Sequence, residues 1–174
     1  MSRKSRYAQL CDAYRAGVKT CDNYRQQSRE FVSELRQHLI GNFECPETRL
    51  YLFPPSQGFS TKPPILPGDS TDIEFLENGD SVIGFAINAN DRKTDNQNMF
   101  FTFTIRFRLV KEKLMFSIID DDQEFPGNED GIMAFCDYLF EMARDNLTNR
   151  LQAFLQDDQD PFPIGFRVGE DDTR

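Results

Sequence analysis

Apolar side chains recur every seven residues through the first part of the chain. Tyr7, Tyr14, Cys21, Ser28 and Leu35 mark one line, and Leu10, Cys11, Val18, Tyr24, Phe31, Val32 and Leu39 fill the positions beside it. This spacing puts the side chains on one helical face and predicts a single helix over residues 4–40. Gly41 follows as the expected stop, with His38 in the last turn. The stripe is three positions wide, and Ala13, Thr20, Gln27 and Glu34 supply no charge zipper beside it. Packing on a sheet or on other helices is therefore preferred over a two-stranded coiled coil.

Length sharpens this expectation. A helix over 4–40 spans about 55 Å. A compact chain of 174 residues has a diameter of roughly 40 Å. The helix must bend, with Gly17 the natural place, or its first turns must overhang the body. An overhanging end exposes Tyr7, Leu10, Cys11 and Tyr14, and an exposed apolar stripe is normally covered by a partner. Tyr7 and Tyr14 are thus candidate partner-contact residues.

Four strands are expected after a Pro-, Gly- and Ser-rich stretch. Arg49–Phe53 reads as a short strand ended by Pro54-Pro55. Residues 54–69 then form a long loop, of the kind that is often functional. Asp72–Glu77 and Ser81–Asn88 flank Asn78-Gly79-Asp80. A three-residue loop there sets Phe75 beside Ile83 and Ile73 beside Phe85, uniting large apolar groups on one face. Met99–Val110 alternates, with Phe101, Phe103, Ile105, Phe107 and Leu109 on one side. A tight turn at Lys111-Glu112 returns Leu114, Phe116 and Ile118 opposite Leu109, Phe107 and Ile105.

The acidic segment 120–130 leads to Asn128, a good N-cap with Glu129 and Asp130 at the positive end of a helix dipole. A second helix runs from there to about Gln156. Met133, Tyr138, Phe140 and Leu155 widen its apolar stripe, which predicts burial on more than one side. The tail alternates Phe162, Ile164, Phe166 and Val168, which suits an edge strand in cis, an edge strand across a dimer, or a docked arm.

The resulting expectation is an α+β two-layer sandwich: an antiparallel meander of four to six strands, with a long N-terminal and a long C-terminal helix on its Phe-rich face. One domain covers 1–160, with an extended tail over 161–174 that is disordered over Glu170–Arg174. The 17 Phe argue against a disordered chain.

Chemistry is sparsely signalled. The only His is His38, so no Ser-His-Asp or Cys-His triad is expected, and helix capping is its expected role. No phosphate-binding glycine motif occurs. Cys11, Cys21, Cys45 and Cys136 form no CxxC pair, which disfavours a zinc ribbon or thioredoxin-type site. Cys11 and Cys21 lie roughly 15 Å apart on one helix and cannot bridge each other. Asp120, Asp121, Asp122, Glu124, Glu129 and Asp130 are the best metal candidates, but their spacing fails the calcium-loop pattern. No cofactor and no metal site are expected. Thr102, Thr104, Arg106, Arg108, Met115 and Ser117 share the second sheet face, and Arg106 and Arg108 on that platform are candidate anchors for an anion or acidic segment.

Charge is divided along the chain. Residues 1–40 carry a net +4 and residues 41–174 a net −13, for a total of −9. That balance disfavours nucleic acid as a partner. No secretory h-region and no apolar run of membrane length occur, so a cytoplasmic protein without membrane contact is expected. The function these features favour is a non-enzymatic interaction module acting on a protein partner or on itself as a homodimer. The alternatives are an acidic mimic that occupies a basic site, and a small-anion binder or enzyme using Arg106 and Arg108.

Overall fold

The structure, a computed structural model, describes residues 5–61, 68–89, 97–154 and 165–170. It has the expected α+β architecture, with two helices on one face of an antiparallel sheet.

Helix α1 runs unbroken from Arg6–Asn42, 37 residues, straight through Gly17. Ser5 caps its start, its hydroxyl accepting the Ala8 amide at 3.2 Å. The end departs from expectation. Gly41 lies inside the helix, and the residue in the left-handed region is Glu44, at φ 49°. The Glu44 amide donates to Gly41 O and the Cys45 amide to Ile40 O, the paired bonds of a Schellman termination. Ile40 and Cys45 both pack on the core, and that tertiary anchoring fixes the stop two residues beyond Gly41. His38 consequently sits half-buried before the last turn, which carries no basic residue.

The sheet contains β1 (Leu50–Phe53), β2 (Glu74–Phe75), β3 (Ser81–Asn88), β4 (Gln97–Val110), β5 (Lys113–Ile118), β6 (Phe125–Pro126) and β7 (Gly165–Glu170). The main path is β1-β3-β4-β5-β6, with β2 also on β3 and β7 also on β4. The β4–β5 register is the expected one: Leu109 faces Leu114, Phe107 faces Phe116 and Ile105 faces Ile118. Lys111 and Glu112 both take positive φ, 49° and 66°, as a tight two-residue turn requires.

The β2–β3 hairpin is corrected. Phe75 faces Ser81, and Glu74 faces Val82. The Leu76 amide bonds Asp80 O and the Gly79 amide bonds Leu76 O, so the three loop residues are Glu77, Asn78 and Gly79. Gly79, at φ +88°, must occupy the last loop position, where the left-handed conformation falls. That requirement shifts the register away from the pairing of Phe75 with Ile83. The strand is also shorter than Asp72–Glu77. Asp69 caps a single 3-10 turn, Ser70–Asp72, accepting from the Thr71 amide at 2.6 Å while Asp72 accepts from the Asp69 amide at 2.9 Å.

Phe31 of α1 packs 5.3 Å from Phe107 and 4.9 Å from Phe116, ring centre to ring centre. Helix α2 (Glu129–Phe154) adds Phe135, which lies 5.0 Å from Phe116 and 5.4 Å from Phe125. Asn128 caps α2 as expected, accepting the Gly131 amide at 3.0 Å. Met133 and Phe140, expected to widen the buried stripe, are instead exposed, Phe140 meeting Phe43 edge to face at 5.8 Å, and Tyr138 is half-buried. One side of α2 is enough to cover the sheet beside α1. Leu155 lies outside the described residues.

The second sheet face also differs from the open polar platform expected. Phe59, from the loop after β1, is buried against Tyr51, Phe53 and Phe100, forming a second small core with Ala86. Gly84 makes this possible: a Cβ there would stand 2.3 Å from the Phe53 ring. Ser56 anchors the loop by donating its amide and hydroxyl to the Glu74 carboxylate. Residues 62–67 of the long loop lie outside the described residues. So do Phe162, Ile164 and residues 171–174; the rest of the tail alternation forms β7, which pairs with the N-terminal half of β4 (Phe101 opposite Phe166), and Glu170, expected to be disordered, is instead held in that strand opposite Gln97. Among the described residues, no helix is long and apolar enough to cross a membrane.

Candidate interaction site

Helix α1 has two halves with different surroundings. Its buried residues are Ser28, Phe31, Val32, Leu35 and Leu39. From residue 5 to residue 27 none is buried. Ring and hydrogen-bond contacts to the sheet begin at Tyr24, whose hydroxyl lies 2.9 Å from Ser81 Oγ and donates to Gly79 O at 3.3 Å. Residues 6–23 therefore form an arm about 27 Å long. On it, Tyr7 is 78% exposed, Leu10 70%, Tyr14 74% and Val18 42%. The stripe that seals the body along residues 28–39 continues outward with nothing apolar buried on it.

The sheet end beside the arm is also apolar. Phe75, Leu76, Leu109 and Val110 are exposed there. Phe75 meets Tyr24 edge to face at 6.1 Å, and the Arg25 guanidinium rests over the same ring at 5.6 Å. Arg25 is on the helical line of Val18 and Cys11, so the arm's stripe starts where the sheet stops. Exposed apolar side chains placed side by side are costly in water, at roughly 25 cal/mol per Å² left uncovered.

The arm's charges are mostly balanced locally. Arg15 pairs with Asp12 at 3.4 Å and Arg25 with Asp22 at 3.9 Å, each three residues apart and exposed. Such exposed pairs contribute little stability. The segment 69–80 that borders α1 at the arm's base holds five acidic residues and no basic one.

Tyr7 and Tyr14 thus come together on one exposed helical face. Arg106 and Arg108 come together on the second face of β4, away from them in the fold. Arg108 pairs with Glu124 at 2.7 Å. Arg106 is half-buried, in the same cross-strand row as Glu74, Val82 and the buried Ser117. Among the described residues it makes no ion pair.

The acidic connection before α2 is occupied by internal contacts. Asp121 accepts from the Tyr138 hydroxyl at 2.6 Å and from the Gln123 amide at 3.0 Å, and Glu124 holds Arg108. Burial, followed by that hydrogen bond and the Asp121 charge, pushes the Tyr138 hydroxyl up to about 12. Among the described residues no group of three or more His, Cys, Asp or Glu is placed to hold a metal. Of the four thiols, Cys136 is fully buried and raised to about 12, chiefly by desolvation and then by Asp137. Cys21 is exposed and Cys11 half-buried, both on the arm.

The sheet-end cluster was not legible in the sequence, because Phe75 and Leu76 are exposed only in the observed hairpin register. Fold and site together define an α+β two-layer body with a projecting amphipathic helical arm. A scan against protein-family models, a search of curated proteins and a search of solved structures find nothing that matches this chain.

Proposed function

We propose that this chain is a non-enzymatic protein-interaction module that acts as a homodimer, with the α1 arm as its docking element. The observation that carries the proposal is the exposure of Tyr7, Leu10, Tyr14 and Val18 on a helix whose stripe is buried farther along, at Phe31, Val32, Leu35 and Leu39. An arm with no docking role would present polar residues on all sides, because nothing in the fold needs its apolar stripe. The test is sedimentation equilibrium of the full chain at micromolar concentration. A dimer is expected, and a Tyr7→Ser, Leu10→Ser, Tyr14→Ser triple variant is expected to sediment as a monomer with an unchanged unfolding midpoint. A wild-type chain that stays monomeric at about 100 µM, weaker than any standard dimer, would sink the proposal.

A further inference from the structure

The arm's stripe has a regular geometry. Tyr7, Cys11, Tyr14, Val18, Cys21 and Arg25 follow one another at alternating steps of four and three residues. The next position, Ser28, is buried against the body. The first five seam positions are therefore uncovered, the sixth, Arg25, lies over Phe75 at the arm's base, and the seventh is closed. In an antiparallel helix pair, one line of such a seam packs against the other line of the partner helix. A single register uses all six positions without intruding on Ser28. It sets Tyr7 on the partner's Arg25, Cys11 on the partner's Cys21, and Tyr14 on the partner's Val18.

We infer that the surface covering the arm is the arm of a second copy, clasped antiparallel in this register. The inference rests on the reading of the arm as the docking element and adds its occupant and geometry. Three observations support it. First, the arrangement is self-complementary under a two-fold axis, as a closed dimer requires. Second, it brings Tyr7 and Leu10 of each tip to the base of the other arm, where Arg25 lies over Phe75 and Leu76 is exposed. Covering the arm and sheet-end side chains of both copies would bury on the order of 1,500 Å², the size of a standard specific interface. Third, the charges match: Arg6 at the tip approaches the segment 69–80, whose five acids include the exposed Glu77. Arg15 falls near the two-fold axis, beside its own copy, and Asp12 of its own helix already holds it at 3.4 Å.

The two cysteines supply a direct test. Within one helix Cys11 and Cys21 are too far apart to bridge, whereas the clasp sets each against the other across the dimer. The 174-residue chain, dimeric by sedimentation under reducing conditions, is treated with copper(II)–phenanthroline; two Cu(II) take up the two electrons released per bond, and the buffer takes the two protons. The expected result is a covalent dimer that disappears in Cys11→Ser and equally in Cys21→Ser. As a second measurement, Arg6→Glu and Glu77→Lys are each expected to raise the dimer Kd about tenfold at low salt, and the double variant to restore most of the loss. A covalent dimer that survives Cys11→Ser, which indicates a Cys21 to Cys21 link and parallel arms, would overturn the clasp. So would a dimer that does not cross-link, and both results leave the docking role of the arm standing. A chain that is monomeric at about 100 µM overturns the clasp and the docking role together.

Discussion

The Tyr24 hydroxyl lies 2.9 Å from the Ser81 hydroxyl, and this contact is where the projecting arm of α1 joins the sheet. Ser81 is fully buried, and the same tyrosine also reaches Gly79 O and Phe107 O. Tyr24→Phe keeps the ring against Phe75 but leaves the Ser81 hydroxyl without this partner. A loss of about 1–2 kcal/mol is expected in urea unfolding, because a buried polar group is deprived of its hydrogen bond. A change below about 0.3 kcal/mol would show that the hydroxyl pair does not anchor the arm.

Four non-glycine residues in turns, Glu44, Lys111, Glu112 and Asp120, adopt left-handed backbone where glycine or asparagine would be at ease. Glu44 terminates α1, and Lys111 and Glu112 form the β4–β5 turn. Each carries a cost of roughly 1 kcal/mol relative to a residue suited to that region. Glu44→Gly should therefore raise stability by up to about 1 kcal/mol, and replacing Lys111-Glu112 with Asn-Gly by about 1–2 kcal/mol, read as shifts in the denaturant midpoint at constant slope.

Gly84 lets Phe53 lie flat on the second sheet face, where it supports Phe59 at 5.4 Å. Gly84→Val should expel the Phe53 ring and loosen the loop that carries Phe59. A loss of about 2–3 kcal/mol is expected, together with faster proteolysis between residues 54 and 61. Unchanged proteolysis would show that the loop is held by Ser56 and Glu74 alone.

Ser28 Oγ is buried and, among the described residues, has no hydrogen-bond partner. Ser28→Ala removes an unsatisfied polar atom with almost no change in shape. Stability should rise by about 1 kcal/mol in thermal or urea unfolding. A loss would reveal a partner for the hydroxyl in solution.

Cys136 and Tyr138 make the fold sensitive to alkali. Burial raises the Cys136 thiol from an ordinary 9.0 to about 12, and burial with the Asp121 contact raises Tyr138 from 10.0 to about 12. Both groups favour their neutral form when folded. Their contribution is therefore fully present below pH 9, and it is lost as pH rises through 9 to 12 for the cysteine and 10 to 12 for the tyrosine. Urea midpoints should stay level to about pH 8.5 and then fall. In Cys136→Ala the decline above pH 9 should be shallower, with the Cys45 thiol, also raised by burial, still contributing, and an unchanged decline would exclude the Cys136 thiol as a source.

Much of this was legible in the residues. Helical periodicity carried α1, and its length against the body's diameter left two outcomes, a bend at Gly17 or an overhang of Tyr7 and Tyr14. Strict alternation carried β4, and the placement of Leu114, Phe116 and Ile118 fixed the β4–β5 register. These are local regularities, set by side-chain geometry on a helix or strand. What stayed hidden depended on contacts between distant segments. The stop at Glu44 required the core under Ile40 and Cys45. The β2–β3 register depended on the conformation of Gly79 rather than on matching apolar partners. Phe59 could not be foreseen as the cover of a second small core, because Gly84 admits Phe53 only once β1 lies beside β3. The arm's exposure likewise became definite only when the sheet ended at Phe75, since periodicity describes which face of a helix is apolar and only the folded body decides how far that face is covered.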